Sequence, residues 1–108
     1  MSDPSDQDRA SLAADPTSGA IVRDIKIINQ KGLHARASAK FVQTVERFDA
    51  EVSVWRGGEK VGGTSIMGLM MLAASPGTTI RVEAKGAQAK DVMAALEELI
   101  GNRFGEEE

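Results

Sequence analysis

Hydrophobic positions recur along this chain with a period that switches between two and about 3.6 residues, and each switch marks a new element. Residues 1–19 are rich in Ser, Asp, Ala and Pro and show no apolar period. Such a segment buries too little surface to offset the entropy of ordering, so it is expected to be a disordered extension. From Ile21 to Asn29, Ile25 and Ile27 alternate with Asp24 and Lys26, as a half-buried strand requires. After Ala35 the period lengthens: Ser38, Phe41, Val42, Val45 and Phe48 fall on one face of an amphipathic helix. Val52 and Val54 then alternate with Ser53 and Trp55, and Gly57-Gly58 offers a two-residue turn before Lys60-Val61-Gly62, the pattern of a β-hairpin. Ser65 is placed to cap a short helix that runs through Leu72 and must stop before Pro76-Gly77. Thr79 to Ala84 alternates again, with Ile80, Val82 and Ala84 on one side. A last helix is predicted from Gln88 to Ile100, with Ala89, Val92, Met93, Leu96, Leu99 and Ile100 as its apolar stripe and Gly101 as its C-cap.

The order βαββαβα, with strands apolar on one face only, predicts an α+β fold. One four-stranded antiparallel sheet carries three helices on a single face. At 108 residues and 42% hydrophobic content the chain fits one domain with a small core. The absence of cysteine excludes disulfides and thiolate chemistry, and a single histidine without a nearby acidic cluster speaks against a metal site. Neither a leader-like start nor a window of ~20 apolar residues is present, so the expectation is a cytoplasmic protein with no membrane contact.

Net charge is −3 but unevenly spread: residues 21–105 hold twelve basic and nine acidic side chains, leaving the acidic charge at the two ends. A mildly basic body favours acidic protein surfaces as partners. Nucleic acid is disfavoured, because the basic residues are scattered and only Phe41, Phe48, Trp55 and Phe104 could stack on bases. The acidic tail, residues 105–108, reads as solvated charge.

The candidate chemistry lies in Gly32-Leu33-His34-Ala35-Arg36-Ala37-Ser38, where a strand gives way to a helix. Imidazole is a good neutral nucleophile near neutral pH, with an ordinary pKa of about 6.5. The first amides of a helix lack intrahelical partners, so those of Ala35, Arg36 and Ala37 are placed to cradle a phosphoryl group. A dianion there gains roughly 0.3–2 kcal/mol, enough to moderate transfer without trapping the group. Taken on these residues alone, His34 is equally readable as a helix cap or a half-buried ring without chemistry.

The stretch from Gly32 to Ala39 resembles the active-site segment of HPr, the histidine phosphocarrier of the bacterial phosphotransferase system. A second stretch, Thr64-Ser65-Ile66-Met67-Gly68-Leu69-Met70, resembles the family's regulatory-serine segment at the family's interval. The resemblance spans about residues 20–104 and implies an open-faced β-sandwich. It further implies phosphorylation of His34 on Nδ1, stabilisation of the phosphate by Arg36, and docking of partners on Met67 and Met70; Met71 stays unassigned. The implied donor is Enzyme I and the implied acceptor an EIIA-type protein. The carrier is expected to be a monomer that needs no cofactor and turns over no small substrate by itself. In some bacteria HPr kinase/phosphorylase modifies the serine at the position of Ser65, which on spacing alone reads as an ordinary N-cap. Many family members have proline where this chain has Ala37, a departure that leaves one more N–H at the helix mouth. With the N-terminal extension it leans the reading towards a regulatory, nitrogen-related branch.

Two other readings are weighed against this one. Gly58-Glu59-Lys60-Val61-Gly62-Gly63-Thr64-Ser65 has the outer glycines of a nucleotide-binding P-loop but Thr64 where that motif needs lysine. An HPr-like regulatory interaction domain that is not phosphorylated is the stronger alternative, although such relatives replace the histidine that is present here.

Overall fold

A computed structural model of the chain describes residues 20–106; the extension at 1–19, expected to be disordered, and Glu107 and Glu108 lie outside the described residues. The elements follow the predicted order: β1 (Ile21–Lys26), α1 (Ala35–Glu46), β2 (Glu51–Arg56), β3 (Glu59–Gly62), α2 (Ile66–Met71), β4 (Thr79–Lys85) and α3 (Ala89–Gly101). The four strands form one antiparallel sheet in the order β1-β4-β2-β3, so β1 and β3 are its edges. The register sets Ile25 opposite Ile80 and Val54 opposite Val82, which gathers the alternating apolar residues on one face. On the β2–β4 ladder Val52, Val54, Ile80, Val82 and Ala84 are buried, while Ser53, Trp55, Arg81 and Glu83 keep solvent contact on the other face. The three helices cover the first face only, and the sandwich is open.

The core forms where the helical stripes meet this face. Phe41 and Val45 of α1, Leu69 of α2, and Val92, Leu96 and Ile100 of α3 join the inward strand residues in one cluster. At about 25 cal/mol per Å² of apolar surface removed from water, burial of this cluster is the main force holding helices to sheet. At the β2–β3 turn Gly57 takes the positive φ that a tight hairpin loop needs.

Several boundaries shift by one residue, such as the end of α2 at Met71 instead of Leu72, and two differences have identifiable causes. β1 stops at Lys26 rather than Asn29, because Ile27 leaves the ladder and exchanges backbone hydrogen bonds with Gly77 and Thr78 instead. At the other end of the chain Gly101 is not the C-cap. It is the last helical residue, Asn102 is the cap, and the left-handed backbone falls on Arg103 (φ 55°), Phe104 (φ 56°) and Gly105 (φ 75°). Non-glycine residues resist this conformation, at a cost on the order of 1 kcal/mol each. Burial of Phe104, only 1% exposed, offsets that cost and turns the chain back towards α1.

Candidate functional site

His34 occupies the N-cap of α1 because the preceding loop leaves the chain no other course. Gly32 has φ +66°, and a methyl group on it would meet the Ala74 carbonyl oxygen at 2.4 Å. That oxygen accepts from Leu33 N–H, so the close approach belongs to the loop itself. Asn29, fully buried, donates its side-chain amide to Gly32 O at 2.8 Å and closes the turn from inside. The His34 backbone is extended, as an N-cap requires, and its carbonyl accepts from Ser38 N–H at 2.8 Å. Ser38 Oγ in turn donates to Leu33 O, tying the first turn of the helix to the loop.

The two ring nitrogens of His34 have different partners. Nδ1 accepts from the backbone N–H of Arg36 at 3.3 Å. Nε2 lies 2.5 Å from Oε2 of Glu106. A backbone N–H only donates and a carboxylate only accepts, so these partners assign the hydrogen to Nε2 and the accepting lone pair to Nδ1. The ring is 28% exposed and borders a cavity of about 590 Å³ lined by Lys31, Arg36, Lys40 and Glu106 among others. Arg36 is exposed, and among the described residues no hydrogen bond or ion pair engages its guanidinium. The amides of Ala35 and Ala37 belong to the first turn, whose N–H groups have no intrahelical acceptor. The Ala37 side chain is fully buried, so the residue that replaces the family's proline also fills core volume.

Within the acidic tail, Glu106 departs from the solvated charge expected of it. Glu106 is half-buried, its side chain 14% exposed against His34. Its oxygens also accept from the Asn29 amide at 3.2 and 3.4 Å. This contact orients Asn29: rotating its amide would set oxygen against carboxylate, and the observed orientation is kept even though it leaves Asn29 Oδ1 without a hydrogen-bond partner. Lys40 donates to the Phe104 carbonyl at 2.6 Å, pinning the turn that brings Glu106 into position. Periodicity had no means of finding Glu106, Asn29 or Lys40. The one available signal was Phe104, a large apolar residue beyond the end of the helical stripe.

Ser65 is some thirty residues away in sequence and caps α2, its Oγ accepting from Gly68 N–H at 2.9 Å. On α2, Leu69 is buried, whereas Met67 (72% exposed), Met70 (43%) and Met71 (73%) face outward. Met71, unassigned from sequence, is thus a surface residue. Ile28 and Ile66 are exposed as well, two apolar residues the sequence reading did not single out. Among the described residues no group of His, Cys, Asp and Glu could hold a metal ion, and no helix is long and apolar enough to cross a membrane.

Comparison with known proteins bears on this arrangement. The family model described as the PTS HPr component phosphorylation site matches residues 21–102. The phosphocarrier protein HPr of Neisseria meningitidis serogroup A is 54% identical over 86 residues, covering 80% of this chain and 97% of that protein. Among solved structures, HPr of Thermoanaerobacter tengcongensis superposes with a TM-score of 0.77 at 40% identity, covering 81% of this chain and 98% of the other. HPr of Bacillus anthracis superposes with a TM-score of 0.72 at 32% identity, covering 75% and 96%.

Proposed function

The chain belongs to the HPr family of phosphotransferase-system phosphocarriers, and from that premise we propose that His34 is its phosphoryl acceptor, taking the group from phospho-Enzyme I and handing it to an EIIA-type protein. The observation that carries the reading is the lone pair of His34 Nδ1, directed to the first turn of α1 beside a cation-lined cavity. In the forward step the Nδ1 lone pair attacks phosphorus, and the electron pair of the breaking bond stays on the donor. The incoming charge meets the Ala35, Arg36 and Ala37 amides and the guanidinium of Arg36, which forms charge-assisted hydrogen bonds to phosphate oxygens. The reverse sequence on an acceptor completes the relay, so the protein carries a group between partners.

Two finer assignments belong to the same reading. Met67 and Met70 form the docking surface: their thioethers are exposed, adaptable and free of core duties. Phosphorylation of Ser65 by an HPr kinase/phosphorylase adds about −1.5 to −2 charge at the cap of α2 and slows acceptance by repelling acidic partners. Ala37 and the N-terminal extension support placement in a regulatory, nitrogen-related branch.

The test is incubation with phosphoenolpyruvate and Enzyme I from a sugar branch and from a nitrogen branch, with intact mass as readout. The expected result is one acid-labile phosphoryl group, absent in His34→Ala, acquired faster from the nitrogen-branch donor. A wild-type chain that accepts phosphate from neither donor overturns the carrier reading, and faster charging by the sugar-branch donor overturns the branch assignment alone.

A further inference from the structure

We propose that Met67, Met70 and Met71 on α2 are oxidation sites through which hydrogen peroxide disconnects the carrier from its protein donor while His34 and the fold stay intact. The inference deepens the docking reading of α2 and the carrier reading of His34, and rests on both. The chain has no cysteine, so thioethers are its only sulfur. It has five methionines, and those among the described residues divide sharply by access. Met67 and Met71 are 72% and 73% exposed and Met70 is 43% exposed, whereas Met93, in the core, is 2% exposed. Met67 and Met71 stand about one helical turn apart, as do Ile66 and Met70, and all four are exposed apolar residues of α2. Leu69 is the buried residue of this helix, so a change at the outward thioethers leaves its anchor in place.

In the oxidation step the sulfur lone pair attacks one oxygen of hydrogen peroxide, an S–O bond forms, the O–O bond breaks, and the other oxygen departs as water after proton transfer. Sulfur is oxidised to the sulfoxide and peroxide is reduced, so no further reactant enters. A flexible apolar side chain thereby becomes a polar, chiral one. On the free protein this costs little, because the new oxygen is hydrated at the surface of α2. At a docking interface it sets a strong hydrogen-bond acceptor where an adaptable apolar contact formed, and stripping that oxygen of water opposes association. A thiol-dependent methionine sulfoxide reductase removes the oxygen as water, keeps the oxidation as its own disulfide, and restores the thioether. Met71, outside the docking assignment, is as accessible as Met67 and shares its fate.

The test treats full-length wild type and a Met67→Leu/Met70→Leu/Met71→Leu variant briefly with hydrogen peroxide and locates each added oxygen by peptide mass. Acceptance from phospho-Enzyme I at subsaturating carrier, chemical loading by phosphoramidate, and thermal unfolding are then compared before and after treatment in each chain. In wild type, Met67 and Met71 are expected to oxidise about tenfold or more faster than Met93. Acceptance from phospho-Enzyme I is expected to fall about fivefold or more, with phosphoramidate loading and Tm unchanged. Sulfoxide reductases for both epimers restore the wild-type rate, and the leucine variant shows no fall on treatment. Met93 oxidising as fast as Met67, unaltered acceptance by a fully oxidised α2, or an equal fall in the leucine variant overturns the proposal. A parallel loss of phosphoramidate loading overturns it as well, because the damage then lies at His34 or in the fold. Untreated wild type that never accepts from phospho-Enzyme I sinks the carrier reading, whereas normal acceptance that oxidation does not change sinks the oxidation proposal alone.

Discussion

Gly32, His34 and Arg36 stand within five positions of one another, yet each is held by a different constraint. Gly32 is required by backbone geometry: a side chain there is strained by the positive φ and collides with the Ala74 carbonyl. Gly32→Ala is expected to lower unfolding free energy by at least ~2 kcal/mol in urea denaturation and to slow phosphoryl acceptance, because the loop that aims His34 must shift. His34 is held by its two partners, and the Arg36 guanidinium, among the described residues, by none that would have to be broken before it meets phosphate. Arg36→Ala is therefore expected to leave the urea midpoint unchanged while slowing acceptance from phospho-Enzyme I about tenfold or more, the loss of charge-assisted hydrogen bonds to the transferred group. An unaltered rate would remove Arg36 from the site. At this scale the sequence was informative about residue types: a lone imidazole beside glycine and a predicted helix start singled out the residue that the structure places at the N-cap of α1. It was silent on Glu106, seventy-two positions away, because nothing in a local window records which distant carboxylate the fold delivers.

Helix α2 and the β1–β4 pair illustrate how single elements are held. In α2 Ser65 supplies the cap and Leu69 the buried anchor, while the methionines contribute little to the core. Ser65→Ala should cost about 1 kcal/mol in thermal or urea unfolding, and Met67→Ala almost nothing, although Met67→Ala should weaken binding to Enzyme I in calorimetry. The family resemblance set Met70 on a docking surface and left Met71 undecided; in the folded helix both face outward. On the open face of the sheet Arg81 donates to Asp24 across the β1–β4 ladder at 2.9 Å. This hydrogen bond holds the Asp24 carboxyl below its ordinary range, and the Arg81 guanidinium is raised in turn by the same contact. A depressed folded-state pKa means that the unfolded chain binds the proton first. The contribution of the pair is thus present above the usual carboxylate pKa of about 3.9 and is lost as pH falls through the lower folded value. The pair is solvent-exposed and its contribution small. The Tm difference between wild type and Asp24→Asn should accordingly be measurable at pH 7 and shrink as pH drops below about 4; a difference that grows on acidification would contradict the assignment.

For the whole molecule, the decisive event is the return of the chain end to its beginning. Phe104 inserts into the core after α3, and Glu106 arrives at the mouth of α1. Phe104→Ala should therefore have two effects from one change: a loss of about 3–5 kcal/mol in urea unfolding from the cavity left behind, and disruption of the contact between Glu106 and the Nε2 proton of His34, read by ring ¹⁵N shifts. A variant destabilised to that extent but with unaltered ring shifts would show that the tail reaches His34 without its aromatic anchor. The order of strands and helices, the faces they bury and the hairpin at Gly57-Gly58 were determined by the sequence alone, because periods of 2 and 3.6 residues and turn chemistry are local properties. So was the identity of the imidazole, the single histidine of the chain. Only the tertiary structure decided where β1 leaves its ladder, how the chain turns after Gly101, and that an acidic residue expected in solvent lies instead against His34. These outcomes depend on contacts between residues far apart in sequence: Ile27 with Thr78, Phe104 with the core, Glu106 with Asn29 and His34. Their energies exist only after the sheet and helices have brought those residues together, and so no local pattern could encode them.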